Sequence, residues 1–454
     1  MRLLDTPTDL GARAITRSTQ SAWAYIPNCN FEDLKLVGRG TGEAPSNFEK
    51  VRDISRFTEI IGMLEKSEIL SETRKNELLG EARLCRGLML YYMLHYFGPV
   101  PVIIDPSLVG NLEEEKKLER STLNEFVSYI TADLEFAVSN IPEKQFAVGR
   151  YHRNYARFCL MRHYLNEGSY MTGFYQKAYD LFDQFTTAYH LFTDGATPYA
   201  DQFKINNEFN SEVIMALSCS YEGDEKHGNF NPVAFYFIPM DAARVDDKGN
   251  PTPFNITGGG WTQFMSVAPE FYNTFEEGDQ RQKTLVSSYY STKGRWITST
   301  DIGTEWDGYI LNKYPQEVNK GWQDTDVPIA RWADVLLMRA EADVRLHNSV
   351  SDEALGHLNE IRHRAGLTKD ITTRDINAFE DALVAERGHE LMFEGCRKID
   401  LIRFNRYYST MEKLGRLPSS QYFPLPNYAV QQAEASGYTL SQYFTRDDYD
   451  GPKK

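Results

Sequence analysis

The feature that most limits what this chain can fold into is a helical repeat between residues 72 and 97. Ala82, Leu84, Cys85, Leu88, Met89, Tyr92, Met93 and Tyr96 recur mostly at steps of three and four. That spacing lines apolar side chains along one face of an α-helix. Gly98-Pro99-Val100-Pro101 follows, and glycine and proline at that point end a helix. The same periodicity opens near residues 56–64 and continues over 121–139, 153–166 and 174–190. It resumes over 328–346, 351–365 and 377–395. The fold class expected from this pattern is mainly α.

Two of these stretches share a form. Residues 153–190 and 331–364 each hold a helix rich in Leu, Met, Arg and Ala, a short polar turn, and a second helix. Ala178 and Ala354 fall where a close helix crossing needs a small side chain. Both resemble divergent tetratricopeptide hairpins, whose repeat is about 34 residues. Residues 221–325 differ, with Lys248-Gly249-Asn250-Pro251, Gly258-Gly259-Gly260 and Gly303 punctuating short strand-like pieces. Trp261, Trp296, Trp306 and Trp322 fall there. The expected organisation is one domain over 1–454. Its helical scaffold covers about 51–220 and 328–410, with a loop-rich region of short strands at about 221–327. The tail from 415 reads as loop.

Composition removes several function classes. The 454 residues carry 49 Lys plus Arg against 64 Asp plus Glu, a net charge of −15. Nucleic acid is not the expected ligand, because phosphate binding needs a basic footprint. No stretch reaches the ~18 apolar residues of a membrane-spanning helix. Cys29, Cys85, Cys159, Cys219 and Cys396 form no CxxC pair and no zinc-type spacing with histidine. His389-Glu390 begins like a metalloprotease helix, but Phe393 stands where the second histidine is required. The stretch Glu386-Arg387-Gly388-His389-Glu390-Leu391 therefore reads as a buried polar network. Walker A, GxGxxG and GxSxG motifs are absent from the sequence. The carboxylates Glu276, Glu277, Asp279, Asp246 and Asp247 suggest no particular glycosidase pair. No catalytic residue, metal ligand or cofactor is expected.

A family resemblance follows from four blocks. Gly80-Glu81-Ala82-Arg83-Leu84-Cys85-Arg86-Gly87, with Tyr91-Tyr92 and Phe97-Gly98-Pro99-Val100-Pro101, is the first. Arg331-Trp332-Ala333-Asp334-Val335-Leu336-Leu337-Met338-Arg339-Ala340-Glu341-Ala342 is the second. Leu358-Asn359-Glu360-Ile361-Arg362-His363-Arg364-Ala365-Gly366-Leu367 is the third, and the run from Glu386 to Arg403 is the fourth. In order and spacing over about 50–430 they resemble the SusD/RagB family. The resemblance implies a SusD-like fold with tetratricopeptide-like hairpins as scaffold, and no catalysis. It implies a lipid-anchored protein on the outer face of the outer membrane. Its function would be to capture an oligosaccharide and pass it to a SusC-like TonB-dependent transporter. A peptide-capturing RagB-like importer component and a tetratricopeptide adaptor remain the alternatives. Family members carry a signal peptide and an anchoring cysteine near the mature start. Cys29 lies too deep for that role, so the anchor is expected in a precursor segment outside this chain.

The ligand is expected on loops held by the helical frame. In the stretch 21–30, Trp23 and Tyr25 offer stacking rings, and Asn28 and Asn30 offer hydrogen bonds to hydroxyls. In 254–322, Trp261 follows three glycines and leads the expectation, then Trp306, with Tyr309 and Trp322 completing the set.

Overall fold

Helix ends in this chain are set by short polar residues and glycines. The Glu72–Phe97 helix starts where the Ser71 side chain accepts the Arg74 N–H, and stops at Gly98, whose φ of 78° suits a residue without Cβ. The Leu123–Asn140 helix starts with a capping box between Thr122 and Glu125. The computed structural model describes residues 2–16, 22–31, 47–116, 118–144, 149–220, 230–255, 265–316 and 323–442.

The chain packs as two units. One unit gathers Met1–Cys29 with Ala188–Leu417, the other Asn30–Thr187 with Pro418–Lys454. The second is helical. Lys50–Glu65, Glu72–Phe97, Leu123–Asn140, Arg153–Glu167 and Phe174–Phe182 pack each on the next in chain order. Arg86 lies at their centre. Its guanidinium forks onto Asp133 at 2.7 and 2.8 Å and donates to Thr58 Oγ1 at 3.1 Å and the Ile104 carbonyl at 3.2 Å. One residue on, a Cβ at Gly87 would stand 3.1 Å from Leu134 Cδ2. The first family-like block is thus scaffold: Gly87 lets two helices approach, and Arg86 ties them with a charge-assisted fork.

Among the described residues, the other unit mixes helices with three two-stranded antiparallel sheets. Val213–Leu217 pairs with Val327–Arg331, Leu285–Val286 with Ile310–Leu311, and Tyr289–Ser291 with Arg295–Ile297. Its long helices are Trp332–His347, Asp352–Arg364 and Ile376–Glu390. A buried charge network joins them. Arg331 meets Glu212, Glu390 and Glu394; Arg364 meets Glu212 and Glu390; Arg281 meets Asp279, Glu386 and Glu390. Burial alone would raise Glu390, but Arg364, Arg331 and Arg281 outweigh it and hold the carboxyl well below its usual range. His389 is buried against Phe275, ring centroids 4.2 Å apart, and shares a 2.8 Å hydrogen bond with Thr274. Burial, then Arg281, keeps it neutral. The 386–391 stretch is the polar network its sequence suggested.

Both expected hairpins form, but in different units. Ala178 and Ala354 are fully buried within them. Four boundaries differ from expectation, one being the helix expected over 377–395, which ends at Glu390. The helix expected over 174–190 ends at Phe182; Asn154 reaches Thr187 Oγ1 at 3.0 Å and holds the following segment out of helix. Residues 327–331 form a strand rather than the start of a helix, since Val327, Pro328 and Ile329 favour extended backbone. The tail holds a helix, Asn427–Ala435.

Candidate functional site

The N-terminal segment links the two stretches from which ligand contacts were expected. Asn28 Oδ1 accepts the Ala14 N–H at 2.9 Å, and Asn28 Nδ2 donates to the Ala14 carbonyl at 3.1 Å. Over the next two residues, Asp307 Oδ1 accepts from the Ile15 N–H at 2.9 Å and from the Thr16 N–H and hydroxyl at 2.6 and 2.7 Å. Ala12 N–H bonds the Ser266 carbonyl at 2.8 Å. Residues 11–16 are thereby laced between 22–30 and 265–307. Asn28 serves this lacing, with both of its amide atoms bonded to the backbone of Ala14.

Trp306 also takes a structural place. It is fully buried, donates its indole N–H to the Thr298 carbonyl at 2.9 Å, and packs on Tyr289 and Tyr309 with ring centroids 5.5 and 5.6 Å away. No face is left for a sugar, so the expectation of a stacking ring at Trp306 is corrected. Tyr309 is buried in the same cluster, edge-on to Tyr272 at 4.8 Å, and is core for the same reason. Tyr25 and Asn30 are half-buried. Trp261 and Trp322, and the side chain of Trp23, lie outside the described residues.

What Trp306 supports is a hairpin that the sequence reading passed over. Tyr289–Ser291 turns through Thr292, Lys293 and Gly294, φ 84°, into Arg295–Ile297. Tyr289, Ser291 and Ile297 are buried, and Tyr289 rests on Trp306. Trp296 is 43% exposed, the most open tryptophan among the described residues. Its ring meets Tyr290, its cross-strand partner, edge-on at 5.6 Å and 69°. The buried Tyr290 fixes one edge of the indole, and the hairpin is fixed in turn by Asp241. That carboxylate accepts from Ser291 Oγ at 2.6 Å and Tyr289 OH at 3.1 Å, while the Thr292 N–H bonds its carbonyl at 2.7 Å. The signal was present in Ser288-Tyr289-Tyr290-Ser291 and Arg295-Trp296-Ile297, two β-type runs around a Gly-containing turn. Pairing them places Trp296 opposite Tyr290 on one face.

The hairpin's rim is charged and closed on itself. Lys293 Nζ lies 3.1 Å from Glu305 and 3.8 Å from Asp241; Arg295 lies 3.1 Å from both Asp301 and Glu305. Elsewhere in this unit Glu276, Asp279 and Asp246 are also committed. Glu276 takes the Arg362 guanidinium at 2.7 Å, which holds it below the usual range. Asp279 forks with buried Arg281, and Asp246 accepts the N–H groups of Lys248 and Asn250 within its own turn.

A family model described as the SusD family matches residues 149–445. The chain belongs to the SusD family. A second model, described as starch-binding and associating with the outer membrane, matches residues 48–165. Among curated SusD relatives, SusD-like protein P25 of Formosa agariphila is 23% identical over 360 residues, 73% of this chain and 64% of that protein. The starch-binding protein SusD of Bacteroides thetaiotaomicron is 24% identical over 441 residues, 85% of this chain and 74% of that protein. This chain therefore spans about two thirds to three quarters of these relatives. Among solved structures, a laminarin-binding SusD-like protein superposes with a TM-score of 0.75 at 21% identity, covering 97% of this chain and 93% of its own. A surface glycan-binding protein A from Bacteroides thetaiotaomicron, in complex with laminarihexaose, gives 0.71 at 17% identity, covering 97% and 92%. At these identities the likeness establishes the SusD fold, mainly α with short strands.

Proposed function

We propose that this SusD-family chain is a non-catalytic glycan-binding protein that captures an oligosaccharide on the Trp296 hairpin. One observation carries the reading: an exposed indole held edge-on by buried Tyr290, on a hairpin braced from beneath by Trp306. Sugar rings present C–H faces that lie flat on such an indole. A rigid aromatic on a supported loop also loses little conformational entropy on binding. The names of the relatives support the ligand class, since one is a starch-binding protein and two neighbours bind laminarin or laminarihexaose.

In this proposal the protein sits on the outer face of an outer membrane, held by a lipid anchor. It delivers its ligand to a SusC-like TonB-dependent transporter. The family model described as associating with the outer membrane supports the location. Co-purification from native membranes tests the partnership; recovery free of any barrel in mild detergent would argue against it.

Calorimetry with laminarihexaose, maltohexaose and a wider glycan array tests the site. Trp296→Ala should lose on the order of 2 kcal/mol of affinity for the glycan bound, as a central aromatic anchor does. Trp261→Ala, Trp322→Ala and Trp23→Ala are the sequence-based arms of the same experiment. Unchanged affinity in a folded Trp296→Ala protein would remove the hairpin from the site.

A further inference from the structure

The C-terminal helix, Asn427–Ala435, ends in a turn that brings Tyr438 back beside it. Gly437 takes a φ of 79°, its N–H bonds the Glu434 carbonyl at 2.9 Å, and the Tyr438 N–H bonds the Ala433 carbonyl at 3.0 Å. Such a pair of bonds caps a helix and folds the chain back over its last turn. Tyr438 thereby joins Phe48 and Tyr428 in lining a cleft of about 450 Å³ in the helical unit. Small-ligand sites run to about 300–1,000 Å³.

Three stretches distant in sequence build this cleft, and each is fastened. The start of the Lys50–Glu65 helix gives one wall, and Thr58 of that helix donates to the Ile103 carbonyl at 2.7 Å. Val102 and Ile103 supply buried apolar surface. The C-terminal wall is tied by Arg120 Nη2, which donates to the Ser441 carbonyl at 2.5 Å. Gln442 ties it again, accepting the Leu425 N–H at 2.9 Å and donating to the Phe423 carbonyl at 3.2 Å. The cleft is preformed, which spares a ligand the cost of ordering it.

Two polar side chains in the lining have no partner among the described residues. Arg52 and Gln432 are exposed, and neither side chain makes a hydrogen bond or an ion pair there. Tyr438 is half-buried; its hydroxyl accepts the Arg120 N–H at 3.4 Å, while its ring packs on no other aromatic among the described residues. Phe48 and Tyr428, by contrast, meet edge-on at 6.5 Å and 78°. An unstacked ring, a guanidinium and a carboxamide over an apolar floor suit a ligand that carries C–H faces and hydroxyls together. Glu49 and Glu115 balance Arg52 and Lys116 in the lining, so the cleft favours no net charge.

We propose that this cleft is a second glycan site, which seats a short stretch of uncharged oligosaccharide on the Tyr438 ring and holds its hydroxyls through Arg52 and Gln432. It rests on the reading of the chain as glycan-binding and uses no residue of the Trp296 hairpin.

The experiment follows the parent, Tyr438→Ala, Arg52→Ala/Gln432→Ala and Trp296→Ala by calorimetry and native mass spectrometry, with laminarihexaose, maltohexaose and the glycans of the array. For a glycan taken in the cleft, Tyr438→Ala should weaken binding about tenfold, as loss of an aromatic anchor does. Arg52→Ala/Gln432→Ala should weaken it about fivefold through lost hydrogen bonds. That variant changes two exposed side chains and should keep the parent's Tm, which guards against a loosened Tyr438 turn. Trp296→Ala should leave binding in the cleft unchanged. The proposal is overturned if the double variant matches the parent in affinity and stoichiometry for every glycan the parent binds. It is also overturned if a hexapeptide library screened in parallel yields Tyr438-dependent binders and no glycan does. Loss of all glycan binding in Trp296→Ala, with both cleft variants unaffected, removes the cleft and leaves the glycan reading standing. A parent that binds no glycan at all removes both.

Discussion

Trp306 donates its indole N–H to the Thr298 carbonyl at 2.9 Å, and this single bond ties the buried core to the end of the exposed hairpin. The ring lies under Tyr289 while Trp296 stands open above the same hairpin. Two tryptophans ten residues apart therefore have opposite duties. Trp306→Ala empties a fully buried site and should cost about 3–5 kcal/mol of unfolding free energy. Trp306→Phe keeps most of the volume and loses the hydrogen bond, while the Thr298 carbonyl keeps the Asp301 N–H at 3.0 Å, for roughly 0.5–1.5 kcal/mol. Urea unfolding measures both. Glycan affinity should fall in Trp306→Ala only to the extent that the hairpin loosens, and equal stability of variant and parent would show the packing to be misjudged.

Much of the fold was legible because helices announce themselves through spacing and punctuation. The Glu72–Phe97 helix was readable from its apolar steps and from Gly98-Pro99, and the structure ends it there. The site was less legible, because burial of an aromatic is decided by partners distant in sequence. Nothing local distinguishes Trp306, which follows Thr304-Glu305, from Trp296, which follows Gly294-Arg295. Only the pairing of Tyr290 with Trp296, and of Val267 with Tyr309, sorts the exposed ring from the buried one. For a related reason, Asn28 has a structural duty that local sequence does not reveal. An asparagine near two aromatics suits a sugar hydroxyl, yet Ala14, fourteen residues earlier, takes both of its polar atoms. The helix boundary at 327–331 failed because its strand partner, Val213–Leu217, is more than a hundred residues away.

The buried charge network makes a second, sharper stability prediction. Arg331 neutralises Glu212, Glu390 and Glu394 within the mixed unit, with its own side chain fully buried. Arg331→Met would leave those carboxylates facing one another without their central cation. Breaking a buried pair by removing one partner costs about 3–5 kcal/mol. By contrast, Glu276→Gln, at a half-exposed carboxylate on Arg362, should cost less than about 1 kcal/mol. Urea unfolding of both variants should separate them clearly; similar losses would mean that the network does not hold this unit together.

The helical unit offers a cleaner test of close packing. A Cβ added at Gly168 would stand 2.2 Å from the Tyr175 ring, far inside contact distance. Elsewhere in a helix Gly→Ala is stabilising by roughly 0.5–1 kcal/mol. At the end of the Arg153–Glu167 helix the sign should reverse, with a loss of about 1–3 kcal/mol as Tyr175 is pushed off its place. Gly173→Ala is the control for strain alone, since its φ is 81° and a Cβ there meets nothing within 4 Å. Thermal unfolding of the pair reads the difference. A stabilised Gly168→Ala protein would show that the two helices of this hairpin do not approach as closely as described.

Lys398 gives the last prediction, in pH. Its side chain is fully buried on the Arg397–Arg403 helix, with Nζ 5.7 Å from the centre of the Tyr407 ring. Burial pulls its pKa down to about 7 from an ordinary 10.5, a shift that the nearby Cys29 only partly opposes. The folded protein therefore releases this proton near neutrality, while the unfolded chain keeps it until about pH 10. Between those values the unfolded state binds more protons, so stability must rise with pH across the window. Below about pH 7 both states are charged, and the full cost of the buried ammonium is present and flat. Lys398→Met removes that cost. It should raise the unfolding free energy at pH 6 by on the order of 3 kcal/mol, and the advantage over the parent should shrink steadily toward pH 10. Comparing variant with parent cancels the tyrosines that titrate in both. Urea unfolding at pH 6, 8 and 10 decides it: a difference that stays constant with pH would mean that Lys398 remains charged in the folded protein throughout.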